Sequence, residues 1–213
     1  MQPVRLPDRP LKCLHLGDSY TIGEGVTLEE GWPFQLHELL QEQGATIARA
    51  HILAQTGWTT TDLLQTLSEA KLEPEWDFIT LCIGVNNQYQ GLDMTTFKKD
   101  IENLVGQSLS LRGASDSVVL MLSIPDWGIS PFAIDRDADA IATAIDTYNN
   151  DFERAASSEN IPFVNWTNLT RKFAGKEEAF AEDGLHPATT QYSAWASLLS
   201  KSLIPAHPEG GAG

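Results

Sequence analysis

The 213-residue chain has only two cysteines, Cys13 and Cys82, and both fall inside short apolar runs. There is no disulfide framework to read, and the two thiols are expected to be reduced core residues. Positive charge is also scarce: 14 Lys and Arg stand against 29 Asp and Glu, a formal net charge of −15. Nucleic acid and anionic membrane surfaces would repel such a chain. No stretch approaches the roughly 20 apolar residues of a membrane span. The first twenty residues carry prolines and charges where a signal peptide needs an apolar run. A cytoplasmic protein without stable membrane association is the expectation. No Cys/His/Asp cluster has metal-site spacing. His15 and His51 fall in strand-like segments, His37 in a helical one and His207 in the tail, none with a partner at ligand spacing, and all four read as structural. Neither a metal nor a cofactor is implied.

What is present is an ordinary globular composition, 42% apolar and 20% charged, in a chain long enough to bury a sizeable core as one domain. Strand-like apolar runs fall near 11–16, 46–53, 77–83, 117–123 and 161–165. Helical patterns lie between them. The first starts at Trp32-Pro33, with proline suited to a first turn. The second follows Thr60 or Thr61 as N-cap, with Leu63, Leu64 and Leu67 on one face. The third carries Phe97, Ile101, Leu104, Val105 and Leu109, and the fourth Ile141, Ile145, Tyr148, Phe152 and Ala155. The last follows Pro187 and carries Tyr192, Trp195, Leu199 and Leu203. This alternation predicts an α/β fold, a parallel sheet covered by helices on both faces. Ligands of such sheets bind at the carboxyl ends of the strands. Residues 206–213, rich in Pro and Gly, read as a flexible tail.

Three of the predicted strands run into polar, glycine-containing turns. These are Gly17-Asp18-Ser19-Tyr20, Gln55-Thr56-Gly57-Trp58-Thr59 and Gly84-Val85-Asn86-Asn87-Gln88, and a parallel sheet opens all three onto one edge. Far along the chain, just before the last helix, stands Asp183-Gly184-Leu185-His186-Pro187. A serine hydroxyl is a poor nucleophile until a histidine takes its proton and a carboxylate orients that histidine. Ser19, His186 and Asp183 are therefore the catalytic candidates. Asp18 is adjacent to Ser19 but suits bracing of the turn through backbone N–H groups. Acyl transfer also needs donors aimed at the developing oxyanion. The backbone N–H of Ser19, the backbone N–H of Gly57 and the side-chain amide of Asn86 are candidates. The loop Pro125-Asp126-Trp127-Gly128-Ile129-Ser130-Pro131-Phe132 opens on the same edge, and Gln88, Tyr89 and Trp127 are candidate walls of a substrate pocket.

These segments, in this order, resemble the conserved blocks of the SGNH, or GDSL-type, hydrolases. Gly17-Asp18-Ser19-Tyr20 resembles the first block with its nucleophile, and Gly57 the glycine of the second. Gly84-Val85-Asn86-Asn87 resembles the third block, Gly-x-Asn-Asp, and Asp183-Gly184-Leu185-His186 the last, Asp-x-x-His. The match spans roughly residues 11 to 203, within an SGNH hydrolase domain expected over 1–205. The resemblance implies a flavodoxin-like three-layer sandwich with a five-stranded parallel sheet, no metal, and hydrolysis of esters or thioesters. Two departures stand out. Tyr20 occupies a position where the family often has leucine, which alters packing beside the nucleophile. Asn87 replaces an aspartate that is not the triad acid, which bears on loop geometry. The expectation is a serine esterase acting on a small-molecule ester with a short acyl group, since no long apolar lid segment is present. An O-deacetylase of carbohydrates, or a lysophospholipase or thioesterase, are alternatives within the class. A non-catalytic flavodoxin-like binding protein is the alternative outside it, and such a protein has no use for Asp183-x-x-His186.

Overall fold

The computed structural model describes residues 3–205; the expected tail, 206–213 with His207, lies outside the described residues. Five parallel strands form the central sheet: β2 (Leu11–Gly17), β3 (Ile47–Ala54), β4 (Phe78–Cys82), β5 (Val118–Leu122) and β6 (Phe163–Val164). Their spatial order is β3-β2-β4-β5-β6. The first sheet strand thus lies between the second and third, which is the flavodoxin-like order. β2 and β4 are buried almost throughout, as continuous Leu/Ile/Cys/Phe runs require. The edge strand β3 is half-exposed and carries Arg49 outward, paired with Glu75 at 2.7 Å and lying over the ring of Trp76. A charge on an edge strand discourages pairing with another chain.

Helices α2 (Trp32–Glu42) and α8 (Thr189–Ser202) pack together on one face of the sheet. On the other face α3 (Thr60–Ala70) packs on α5 (Met94–Ser110), and α5 on α6 (Ala138–Ser158). Three short helices stand at strand ends: α1 (Ser19–Ile22), α4 (Val85–Tyr89) and α7 (Thr167–Thr170). A two-residue parallel pair not foreseen from the sequence, β1 (Val4–Arg5) with β7 (Leu203–Ile204), joins the two ends of the described chain. One hydrophobic cluster runs through both layers.

Two expectations are corrected here. Leu203, expected on the last helix, lies past its end in β7. The N-cap of α3 is Thr59, not Thr60 or Thr61. Its side chain accepts from the Asp62 N–H while the Asp62 carboxylate accepts from the Thr59 N–H at 2.9 Å, a reciprocal capping box. His15 and His37, read as structural, meet in the core: their Nε2 atoms lie 2.9 Å apart, and His15 Nδ1 is 2.8 Å from Thr80 Oγ1. Burial pushes both imidazoles below the ordinary histidine range, His37 to about 4. Cys13 and Cys82 are free and buried on neighbouring strands. Cys82 is in register with Gly17, four residues past Cys13, so the two are roughly 13 Å apart along the strand direction, beyond disulfide reach.

Candidate active site

The turn that carries Ser19 is built by close packing. β2 ends at Gly17, where a Cβ would come within 2.5 Å of the Cys82 carbonyl oxygen of β4 and 2.0 Å of Thr21 Oγ1. Only glycine lets the chain pass between these groups. Asp18 then caps α1, its Oδ1 accepting from the Tyr20 N–H at 3.1 Å, which is the bracing role expected of it. Burial pushes the Asp18 carboxyl up to about 7, against the opposing hydrogen bond from Tyr20 N–H. Ser19 follows as the first residue of α1, so its N–H has no acceptor within the helix.

The distant Asp183-x-x-His186 segment comes back onto this turn. Ser19 Oγ is 2.9 Å from His186 Nε2, and His186 Nδ1 is 2.5 Å from Asp183 Oδ2. The partners assign the tautomer: Nδ1–H donates to the carboxylate, leaving Nε2 to accept from the serine hydroxyl. Asp183 Oδ1 accepts from the N–H groups of Leu185 at 2.8 Å and His186 at 3.0 Å. Burial alone would raise this carboxyl, but the hydrogen bonds from the His186 ring and the two amides outweigh it and hold it below its ordinary value. Ser19 and His186 are buried, whereas 42% of the Asp183 side chain is exposed.

The second and third turns complete the site. Gly57 has φ +80°, in the left-handed region, with open space where a Cβ would project. Backbone angle rather than crowding is what calls for glycine there. Asn86 donates one amide hydrogen to the Trp58 carbonyl at 2.9 Å, which orients its carboxamide and leaves the second N–H. Asn87 points away and is buried. Its Oδ1 accepts from Thr60 N–H at 2.9 Å and its Nδ2 donates to Thr60 Oγ1 at 2.8 Å, fixing the third turn to the start of α3. This is how asparagine serves at the third block's last position.

Ser19, Gly57, Asn86 and His186 line one cavity of about 170 Å3, with Tyr89 and Trp127 in its wall. Thr56, Val85, Phe132 and Leu185 also line it and were not singled out from the sequence, and Tyr20, noted there only for its packing beside Ser19, lines it too. For Phe132 the signal was the aromatic loop itself. The Tyr20 ring lies 5.3 Å from the His186 ring, tilted by 52° to it. Gln88 does not line the cavity. It stands behind the wall, its Oε1 accepting from Trp127 Nε1–H at 2.7 Å. A larger cavity of about 310 Å3 lies against the 128–138 segment, near Arg136 and Lys176, and holds none of the three catalytic candidates. Among the described residues no three His, Cys, Asp or Glu side chains come together as metal ligands, and no helix is long and apolar enough to cross a membrane.

The profile of the GDSL-like lipase/acylhydrolase family matches residues 15–194, a span that includes all four turns. The chain belongs to this family. No curated protein matches it in sequence. Among solved structures, this GDSL-like chain is similar to a psychrotrophic esterase, EstA, from Pseudoalteromonas sp., at 18% identity and TM-score 0.67 over 90% of this chain and 95% of that one. It is similar to an acetylxylan esterase, Axe2, from Geobacillus stearothermophilus, at 18% identity and TM-score 0.71 over 92% and 96%. A lipase/acylhydrolase from Enterococcus faecalis matches at 20% identity and TM-score 0.70 over 90% and 94%. At these identities the likeness is one of fold, and it fits the five-stranded parallel sheet of the GDSL-like hydrolases.

Proposed function

We propose that the chain is a serine esterase that hydrolyses small carboxylic esters with short acyl groups through an acyl-enzyme. The reading rests on one observation: the continuous hydrogen-bonded line from Ser19 Oγ through His186 to Asp183, opening into the cavity that Gly57 and Asn86 also line. His186 Nε2 takes the Ser19 proton as Oγ attacks the ester carbonyl, and Asp183 holds the imidazole and stabilises its charged form. The oxyanion is held by the N–H groups of Ser19 and Gly57 and the Asn86 amide. The protonated His186 gives its proton to the departing alcohol. Water then attacks the acyl-enzyme with His186 again as base, releasing the acid and restoring Ser19. The cavity of about 170 Å3 is small beside the roughly 300–1,000 Å3 of common ligand pockets, which favours a short acyl group.

The test is a p-nitrophenyl ester assay on wild type and Ser19→Ala, with covalent labelling by an organophosphonate. A similar esterase structure, that from Pseudoalteromonas, is described as inhibited by monoethylphosphonate. Hydrolysis lost in Ser19→Ala, and a label mapped to Ser19 by mass spectrometry, are expected. A label on another serine, or an active Ser19→Ala enzyme, overturns the reading.

A further inference from the structure

Trp127 stands in the wall of the cavity, and its indole N–H makes one hydrogen bond, to Gln88. Its loop is anchored through the backbone. Asp126 Oδ1 accepts from Gly128 N–H at 3.0 Å, Asp126 Oδ2 accepts from Arg171 Nε at 2.7 Å, and Ser130 Oγ donates to the Trp127 carbonyl at 2.6 Å. These contacts hold the main chain, and the rotamer of Trp127 is set by what its side chain meets. Two rings touch the indole, Tyr89 at 5.2 Å and Phe132 at 6.4 Å, both edge-on. Each is itself nearly half exposed, at 47% and 43%, and offers the indole N–H no hydrogen-bond acceptor. Trp127 is only 6% exposed. Burial of this kind demands an acceptor for the indole N–H, and Gln88 Oε1 supplies it at 2.7 Å.

We propose that Gln88 is a positioning residue that sets the size of acyl group the cavity accepts, by holding Trp127 in the cavity wall. Gln88 touches no reacting atom. It lies on α4, the same short helix that carries Asn86 and Tyr89, so the acyl wall and the oxyanion donor are carried by one rigid piece. With Gln88 in place the indole closes the cavity. Without the acceptor, the buried N–H gains by turning towards solvent, and the cavity lengthens. The proposal rests on the esterase reading above, in which this cavity receives the acyl group.

Two measurements on Gln88→Leu, Gln88→Glu and Trp127→Phe test it. The first needs no activity. The indole N–H resonance that disappears in Trp127→Phe identifies Trp127, and it should shift and exchange faster in Gln88→Leu but keep its protection in Gln88→Glu, whose carboxylate still accepts. The second is kcat and KM across p-nitrophenyl esters from acetyl to decanoyl. In Gln88→Leu the kcat/KM ratio of long to short esters should rise on the order of tenfold, mainly through KM for the long esters. Gln88→Glu should restore the wild-type profile. Gln88→Leu combined with Trp127→Phe should shift the ratio no further than the larger single change. An indole resonance unmoved in Gln88→Leu overturns the proposal, as does an unchanged chain-length ratio in an otherwise active enzyme. A ratio that changes only along a series of acetates of longer alcohols overturns the acyl assignment. A wild type that cleaves none of these esters overturns the esterase reading and this proposal with it, an outcome distinct from an active wild type whose ratio ignores Gln88.

Discussion

Adjacent residues of the same type do opposite work at this site. Asn86 turns its amide towards the cavity, while Asn87 buries its amide against Thr60. Charge on the carbonyl oxygen develops only in the tetrahedral intermediate, so Asn86→Ala should lower kcat by roughly 10²–10³ with little change in KM. Asn87→Ala instead removes the acceptor of the buried Thr60 N–H, and should cost on the order of 1–3 kcal/mol in urea unfolding. A reversal of these two phenotypes would mean that the oxyanion donor is Asn87. The two aspartates divide in a similar way. Asp18 is fully enclosed, its carboxyl pushed up to about 7, and it acts as an acceptor for one amide. Asp18→Asn keeps that acceptor and should retain most activity, whereas Asp18→Ala should not. Asp183→Asn cannot hold the imidazole in the required tautomer, and a large loss of kcat is expected there. Equal losses in Asp18→Asn and Asp183→Asn would contradict this division.

At the scale of elements, the start of α3 joins fold to site. The turn carrying Gly57 is followed directly by the Thr59/Asp62 capping box, and the next residue, Thr60, donates its N–H to Asn87 Oδ1, accepts from Asn87 Nδ2 at its hydroxyl, and donates that hydroxyl to Asp100 at 3.1 Å. The second and third turns are thereby locked to each other. Thr59→Ala should cost about 0.5–2 kcal/mol of stability, measurable by denaturant titration, and Thr59→Ser should recover most of it. A Thr59→Ala protein as stable as wild type would deny the cap any role. Three consecutive threonines, 59 to 61, can each cap a helix by chemistry alone. What selects Thr59 is Asp62 three residues on, a spacing present in the sequence but carried by a shorter acid than the Glu or Gln of the usual capping box.

For the whole molecule, the buried His15–His37 pair makes stability depend on acidity. His37 titrates near 6.5 when unfolded but only at about 4 when folded, and burial displaces His15 in the same direction. Between those values the unfolded chain binds protons that the folded chain refuses. The pair therefore favours unfolding as pH falls through that window, and its penalty vanishes above it. Asp18 has the opposite slope: its folded carboxyl, raised from 3.8 to about 7, contributes stability below pH 3.8 that is lost as pH rises through 7. Replacing one imidazole separates the two effects. His37→Gln, which can still hydrogen-bond to His15, should lose less Tm than wild type as pH is lowered from about 6.5 to 4. Parallel Tm–pH curves for the two proteins would rule out the pair as the source.

The α/β alternation, five strands, the principal helices and the candidate catalytic and oxyanion residues were legible in the amino-acid sequence. Each of these signals is local: an apolar run buried on both faces, a 3.6-residue periodicity, a glycine-rich turn at a strand end. Even the pairing of Ser19 with a segment more than 160 residues away could be inferred, because the chemistry of one is useless without the other. Tertiary structure alone decided what depends on side chains meeting across elements. Gln88 looked like a wall residue and became the support of one, since only the placement of α4 against the Trp127 loop brings its amide to the indole. The meeting of His15 and His37 could not be read because β2 and α2 carry them 22 residues apart, and no local pattern marks two imidazoles that will share a hydrogen bond. The β1–β7 pair was invisible because two residues are too few to show a period. Pocket depth belongs to the same class: it is set by rotamers, and rotamers are chosen by neighbours that arrive only when the chain has folded.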